Sequence, residues 1–362
     1  MGRRASAIRM SMTPPRDHEQ IAFLLNMQRL LSEGSFTASY KFALLLALAD
    51  LAVENGDDSG ARMQVTLAEL AERFIRIYWR QAAPHPRGGV LQQNTDKQAA
   101  IVSLLVEARQ KHMSLAQLER DSTTWSSLVA KVAKIVRTMP LFKLQTLGGE
   151  PVEFLYPSVE VNGSIELRPG IAFCFRRFHG LIEDLVRGAW LRFVRRLPAN
   201  QLIHGEATDL AAFMFGAERH DLEALVPILR ELQHDACFYC AASLRSRKRA
   251  VDHFVPWSLY PHDLGHNFVL ADRRCNAAKR DALASVQHLD AWWRRTHDSG
   301  RALGAAFDGA GIVHSIDASR RVTAWAYANA EQAGALLWMR KDQYKPIDAR
   351  WRTVACDRDC DR

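Results

Sequence analysis

Residues suited to metal-dependent chemistry are concentrated between positions 237 and 280. Three motifs occur there, namely the Cys-x-x-Cys pair Cys237/Cys240, the Asp252-His253 pair and the Cys275-Asn276 pair. Thiolates suit zinc, whereas carboxylate and amide oxygens suit Mg²⁺ or Mn²⁺. Imidazole titrates near neutral pH, so His253 can act as a general base. Each motif alone is a weak signal, but their order and spacing together indicate one small metal-dependent site.

The elements that must position these residues are an extended segment and a short helix. On a strand, Asp252 and His253 point to opposite sides, so both reach one site only through a local turn or bulge. Asn276 begins a predicted helix, and Lys279 follows one turn later on the same face, where it can meet a phosphate. Hydrolysis of a phosphodiester needs such a base and such a cation site.

Positive charge is concentrated in the same segment. The whole chain has a net charge of +8, and the segment from Cys237 to Arg280 contains eight cationic and three carboxylate side chains. Basic clusters of this kind bind the phosphates of nucleic acids. The predicted nucleic-acid-binding residues are Arg245, Arg247, Lys248, Arg249, Arg273, Arg274 and Arg280.

Taken together, these motifs resemble the HNH endonucleases, whose nuclease module has the ββα-metal fold. The matching features are the leading Cys pair, the Asp-His-x-x-Pro box, Asn267, and the Asn-x-x-Lys ending at Lys279. The resemblance covers residues from about 232 to 283. It implies that His253 is the general base, that Asp252 binds a divalent metal, and that Asn267 braces the loop and orients the base. Asn276 stands where the family has its final His, which makes this chain an HNN variant with Asn276 as the second ligand of the catalytic Mg²⁺ or Mn²⁺.

The resemblance also implies a structural zinc ion. Members with a leading Cys pair close the zinc site with a second pair before the catalytic helix, and here Cys275 supplies one half and Asp272 the other. A carboxylate can bind Zn²⁺, although four-coordinate structural sites favour Cys and His. The fourth ligand therefore stays open among Asp272, His234, His262 and His266.

Periodicity predicts an α+β fold, with a mainly helical N-terminal region and an embedded ββα-metal module. Residues 1–20 are predicted to be a disordered basic arm. Residues 21–230 are predicted to form a helical targeting or scaffold domain, with a capping box at Thr66–Glu69 and a small β-hairpin near 151–175. Residues 231–290 form the predicted nuclease module, and residues 291–362 a mixed C-terminal region.

The functional expectation is a metal-dependent endonuclease that hydrolyses DNA, in restriction or anti-phage defence. His253, Asn267 and Lys279 form its predicted catalytic set. Two alternatives remain, a non-catalytic zinc-stabilised nucleic-acid-binding module and a nuclease directed at RNA. A homodimer or a protein partner could use the helical region. The start of the chain has no apolar signal segment, and its longest apolar stretch is too short for a bilayer, so a cytoplasmic protein without a membrane partner is expected.

Overall fold

The computed structural model describes residues 13–157, 162–203, 207–216 and 222–356. It is an α+β structure, mostly helical with small antiparallel sheets, which confirms the predicted fold class at this level. The helices in chain order are α1 (Asp17–Glu33), α2 (Tyr40–Asn55), α3 (Leu67–Gln81), α4 (Ala100–Lys111), α5 (Leu115–Arg120), α6 (Ser122–Thr138), α7 (Pro140–Lys143), α8 (Ile171–Arg177), α9 (His179–Arg196), α10 (Ala207–Phe215), α11 (Leu225–Leu232), α12 (Arg273–Lys279), α13 (Val286–Ala310), α14 (Ile316–Gln332) and α15 (Arg350–Cys356). The strands are β1 (Met63–Thr66), β2 (Thr146–Leu147), β3 (Glu150–Pro151), β4 (Ser164–Leu167), β5 (Arg249–His253), β6 (Phe268–Asp272), β7 (Leu336–Arg340) and β8 (Gln343–Pro346).

The chain divides into two compact units. The first lies within Met1–Leu105 and Ser127–His204, and the second within Val106–Ser126 and Gly205–Arg362. No helix of the described residues is long and apolar enough to cross a bilayer.

Helix α2 is the centre of the first unit. Every residue from Tyr40 to Glu54 is buried, and helices α3, α7, α8 and α9 pack around it. A helix that is apolar on all sides must be enclosed, which explains this central place. Its two buried carboxylates are paired, Asp50 with His179 at 2.9 Å and Glu54 with Arg73 at 2.5 Å.

The capping box predicted at the start of α3 is confirmed. The Thr66 hydroxyl accepts from the Glu69 backbone N–H at 3.1 Å, and the Glu69 carboxylate accepts from the Thr66 backbone N–H at 2.8 Å. Leu70, Phe74 and Tyr78, which share one face of this helix, are all fully buried.

The hairpin predicted within residues 151–175 is wrong. Strand β4 pairs instead with β1, about a hundred residues earlier, in an antiparallel register that places Thr66 opposite Ser164. Asn162 and Gly163 form a bend directly before β4, and residues 158–161 lie outside the described part of the chain. A tight hairpin does form nearby, between β2 and β3, through Gly148 and Gly149. Both glycines have positive φ, the conformation that such a short connection requires.

The predicted N-terminal arm and the predicted C-terminal boundary also need correction. Residues 1–12 lie outside the described residues, but α1 already begins at Asp17, where the Glu19 carboxylate accepts from the Arg16 backbone N–H at 2.7 Å. The boundary predicted at residue 290 falls inside α13. A helix of 25 residues continues through it, so the motif segment and the C-terminal region belong to one unit.

A shared aromatic core explains why this second unit is continuous. Phe254, which follows His253, stacks on Trp292 of α13 with ring centroids 5.3 Å apart and planes 10° apart. The Trp292 indole N–H donates to the backbone oxygen of His266 at 3.1 Å. Two short strands and one short helix cannot bury Phe254 alone, so α13 supplies the missing side of the core.

Candidate metal-dependent site

The motif segment folds as two antiparallel strands followed by a helix. In the pairing of β5 with β6, His253 lies opposite Phe268 and Asp252 lies opposite Val269. Asp272 ends β6 and caps α12, because its carboxylate accepts from the Arg274 backbone N–H at 2.9 Å. Strand, strand and helix therefore follow each other in the order that the sequence predicted.

His253 is held by a carboxylate that the sequence did not single out. Its Nε2 lies 2.8 Å from Oδ1 of Asp263, and its ring lies against Trp257 and Phe268. An ionised carboxylate only accepts hydrogen bonds, so Nε2 carries the hydrogen and Nδ1 is the basic nitrogen of the neutral ring. Nδ1 has no hydrogen-bond partner among the described residues. The side chain of His253 is 16% exposed, so solvent can reach the site.

Asp252 points to the opposite face of β5, as strand alternation predicted. Its Oδ2 accepts from the Tyr239 hydroxyl at 2.6 Å and lies 3.1 Å from Nζ of Lys279. Burial and the neighbouring carboxylate raise the pKa of Tyr239 well above its ordinary value, so the phenol stays protonated and donates. Both contacts involve Oδ2, and Oδ1 of Asp252 accepts no hydrogen bond among the described residues.

Lys279 is not placed where it can contact a phosphate, which corrects the prediction. Its side chain is fully buried, and Nζ donates to the backbone oxygen of His253 at 2.9 Å as well as pairing with Asp252. Burial lowers the pKa of Lys279, and the Asp252 carboxylate opposes that change. Lys279 therefore links α12 to β5 through two contacts, one with the Asp252 side chain and one with the His253 backbone.

Asn267 braces the turn after β5. Its Oδ1 accepts from the Val255 backbone N–H at 2.8 Å, and its Nδ2 donates to the Val255 backbone oxygen at 3.0 Å. The side chain is buried, and Val255 follows His253 by two residues, so this contact fixes the backbone just after His253.

Asn276 lies on α12 one helical turn before Lys279. Its side chain is half-buried, and among the described residues it has no hydrogen-bond partner. Side chains three residues apart lie on the same helix face, so Asn276 shares the face of α12 that approaches β5 through Lys279.

The three predicted cysteine ligands come together. The sulfur atoms of Cys237, Cys240 and Cys275 all lie within 4.8 Å of one another, and this group could hold a metal ion. The backbone N–H of Asp272 donates to Sγ of Cys237 at 3.2 Å. Burial, and repulsion from Cys237 and Cys240, raise the pKa of the Cys275 thiol, because negative charges at such separations are unfavourable without a cation.

The fourth ligand is not among the predicted candidates. Both carboxylate oxygens of Asp272 are engaged, one by the helix cap and the other by Arg247 at 3.0 Å. This cap and ion pair, together with the positive charge of Arg274, hold the pKa of Asp272 below its usual range. Among the described residues, neither Asp272 nor His234, His262 or His266 joins the cysteine group. His266 instead donates to the backbone oxygen of Gly300 at 2.9 Å.

All seven predicted nucleic-acid-binding cations are exposed. Four precede or begin β5 and three lie on or just after α12: Arg245, Arg247, Lys248, Arg249, Arg273, Arg274 and Arg280. Arg247 is partly neutralised by Asp272, and Arg245 lies 4.0 Å from Asp235. The surface beside the site is therefore basic, although two of its cations have acidic neighbours.

Comparison with known proteins assigns the N-terminal part of the chain. Residues 20–214, more than half of the sequence, match the family described as a domain of unknown function (DUF8808), and the chain belongs to that family. No curated protein and no solved structure matches the chain. The matched residues end before Cys237, so the candidate site lies outside the part of the chain that the family model covers.

Proposed function

We propose that the protein is a metal-dependent endonuclease of the HNH type that hydrolyses DNA phosphodiester bonds. The observation that carries this proposal is the His253–Asp263 pair at the end of β5, where Lys279, the last residue of α12, holds the backbone oxygen of His253. A histidine held by a carboxylate through one nitrogen, with the other nitrogen open, is the arrangement expected of a general base.

In this reaction His253 Nδ1 takes a proton from the attacking water. The water oxygen forms a bond to phosphorus while the bond from phosphorus to the leaving oxygen breaks, and the leaving oxygen takes a proton from solvent. Asp263 keeps Nε2 protonated and stabilises the imidazolium that forms. Asn267 fixes the turn that follows the base, so the imidazole is oriented before substrate binds.

Two side-chain oxygen atoms, one on β5 and one on α12, are of the kind that a hard divalent cation binds. Oδ1 of Asp252 and the amide oxygen of Asn276 form no hydrogen bond among the described residues, and both are donors of the kind Mg²⁺ and Mn²⁺ prefer. When bound, such a cation supplies positive charge to the phosphoryl and leaving oxygens. Its ligands in this chain would be Asp252 and Asn276.

The cysteine group fits a structural zinc ion. Three thiols within 4.8 Å provide soft ligands, and thiolates form when a divalent cation replaces their protons. Zinc would join the turn at Cys237/Cys240 to α12 through Cys275, and would thereby hold the helix that carries Asn276.

The alternative functions make different predictions in one assay. Wild-type protein is incubated with supercoiled plasmid, linear duplex DNA and RNA, in Mg²⁺ or Mn²⁺. We expect cleavage of DNA, and loss of cleavage when EDTA is added. Cleavage of RNA alone would instead support the RNA-directed enzyme. Binding without cleavage of any substrate would support the non-catalytic module, and cleavage that resists EDTA would contradict the metal requirement.

A further inference from the structure

An exposed basic surface lies in the first unit, away from the motif segment in sequence. It consists of the cations of α6 and α7, which we call the α6–α7 surface: Lys131, Lys134, Arg137 and Lys143. All four are exposed. The sequence contains no Asp or Glu between Asp121 and Glu150, although the chain as a whole has nearly as many acidic as basic residues.

These cations have no acidic partner among the described residues. Some other exposed cations of the first unit are neutralised by neighbours, namely those of the Arg29–Glu33, Arg62–Glu166 and Arg168–Glu153 ion pairs. No such pair involves any of the four cations of the α6–α7 surface. Burial lowers the pKa of Lys41, and repulsion between Lys41 and Lys143 adds to this effect. The surface therefore keeps its full positive charge.

The helix geometry places the cations of α6 on one side. Lys131, Lys134 and Arg137 follow at intervals of three residues, which confines them to about a third of the helix circumference over a rise of about 9 Å. The opposite stripe is buried, with Val132 and Val136 fully enclosed. The buried stripe fixes the rotation of the helix, so the three cations face solvent together.

We propose that the α6–α7 surface binds the phosphate backbone of double-stranded DNA, independently of base sequence. The choice of DNA as the polyanion rests on the proposed nuclease function. The charge is complementary, and unpaired lysine and arginine side chains on a rigid helix bind phosphates while releasing counterions. This surface would give the family domain of this chain a role in holding the substrate.

An anionic membrane surface suits this segment less well. A helix that lies in a bilayer interface inserts its apolar face, but the apolar stripe of α6 is already buried within the protein. Beyond it the segment exposes two large apolar side chains, Met139 and Phe142, at 53% and 66% exposure. Two side chains do not make an insertion face.

The test uses the full chain with the His253→Ala substitution, so that cleavage does not consume the DNA. Binding to a fluorescein-labelled 30-base-pair duplex is followed by anisotropy across a series of salt concentrations. The triple variant Lys131→Gln/Lys134→Gln/Arg137→Gln should bind at least about tenfold more weakly near 0.1 M salt. The slope of log K against log salt should fall by about 3, one for each cation removed.

A matched triple variant controls for net charge. Arg29→Gln/Arg62→Gln/Arg168→Gln removes three exposed cations from the same unit, but each of them is paired with a carboxylate. We expect its affinity and salt slope to stay close to those of the parent. Equal losses in both triple variants, or an unchanged α6 variant, would overturn the proposal. Binding of the same variants to phosphatidylserine vesicles is measured alongside. If the α6 triple variant loses vesicle binding but keeps DNA binding, the proposal is overturned and the surface is assigned to a membrane.

The result is independent of the cleavage assay. If the wild-type protein cleaves no substrate but the α6 triple variant loses DNA binding, the nuclease proposal fails and the α6–α7 surface stands. If the wild-type protein cleaves DNA while the α6 triple variant binds like its parent, the α6–α7 proposal fails and the nuclease proposal stands.

Discussion

At the scale of single residues, the site depends on contacts that fix both the side chain and the backbone of His253. Asp263 holds the imidazole at Nε2, and Asn267 holds the backbone that follows it. Lys279 holds the backbone oxygen of His253 itself. These contacts orient the His253 imidazole, whose Nδ1 is open. Each contact can be removed by a substitution that leaves His253 in place.

The first prediction concerns Asp263. Replacing Asp263 with Asn removes the charge that stabilises the imidazolium and selects the tautomer, so kcat for DNA cleavage should fall by roughly 10²-fold or more. KM should change little, because Asp263 acts through His253. Steady-state nicking kinetics, with DNA in excess over the protein, measure both kcat and KM. The matched control is Asp298→Asn, which removes an exposed carboxylate from the His297–Asp298 pair. Wild-type kcat in Asp263→Asn would exclude the positioning role.

The second prediction tests whether Lys279 is a buried structural residue or a phosphate-binding residue. Lys279→Met leaves the Asp252 carboxylate buried without its ion pair, and the free energy of unfolding should fall by about 3–5 kcal/mol. Urea denaturation measures this. The double variant with Asp252→Asn should recover part of the loss, and Lys345→Met, at an exposed position, should change stability by less than about 0.5 kcal/mol. A stable Lys279→Met protein with weaker DNA binding would restore the original prediction.

At the scale of elements, the features predicted correctly from the sequence were the local ones. The opposed directions of Asp252 and His253 follow from strand alternation, and the capping box at Thr66 follows from a three-residue spacing. The partner of β4 could not be predicted, because a strand pattern does not specify which distant strand it meets. The burial of Lys279 was missed because α12 is covered by tertiary packing, and Asp263 was missed because a contact across a loop has no periodic spacing.

The third prediction concerns the cysteine group and α12. Cys275→Ser should remove zinc from the purified protein and lower its thermal stability, because the link between α12 and the Cys237/Cys240 turn is lost. Elemental analysis measures the zinc, and differential scanning calorimetry measures the stability. Cys174→Ala is the control, since Cys174 is a buried lone thiol of the first unit. Zinc far below one ion per chain in the wild-type protein would contradict the site.

The fourth prediction concerns the short turn before β6. Burial lowers the pKa of His266 to about 4, so the folded protein stays unprotonated there while the unfolded chain takes a proton below about pH 6.5. Stability should therefore fall as the pH drops from about 6.5 towards 4, and His266 should account for about 2 kcal/mol between pH 7 and pH 5.

The check compares His266→Gln with wild type by urea denaturation at these two pH values. The glutamine does not titrate, so the variant should show a smaller loss of stability at pH 5. His297→Gln, at an exposed position, should keep the wild-type pH dependence. The same pH dependence in His266→Gln and in wild type would show that His266 is not the group responsible.

At the scale of the whole molecule, different observations support the proposed roles of the two units. The family match assigns most of the first unit to DUF8808, and the α6–α7 surface gives that unit a proposed role in holding DNA. The second unit contains the candidate site, and its aromatic core joins the motif segment to the C-terminal helices. Composition and charge could predict neither this shared core nor the exposed surface on α6, because both depend on which helix faces are already buried.

Plasmid cleavage by His253→Ala tests the assignment of the general base directly. Supercoiled plasmid is incubated with excess protein in Mg²⁺ or Mn²⁺, and nicked and linear products are followed on gels. Wild-type protein and the exposed-histidine control His297→Ala should both cut. His253→Ala should lose at least about 10²-fold in rate while keeping its circular dichroism spectrum and its DNA affinity. Cleavage by His253→Ala at the wild-type rate would contradict the assignment of the site.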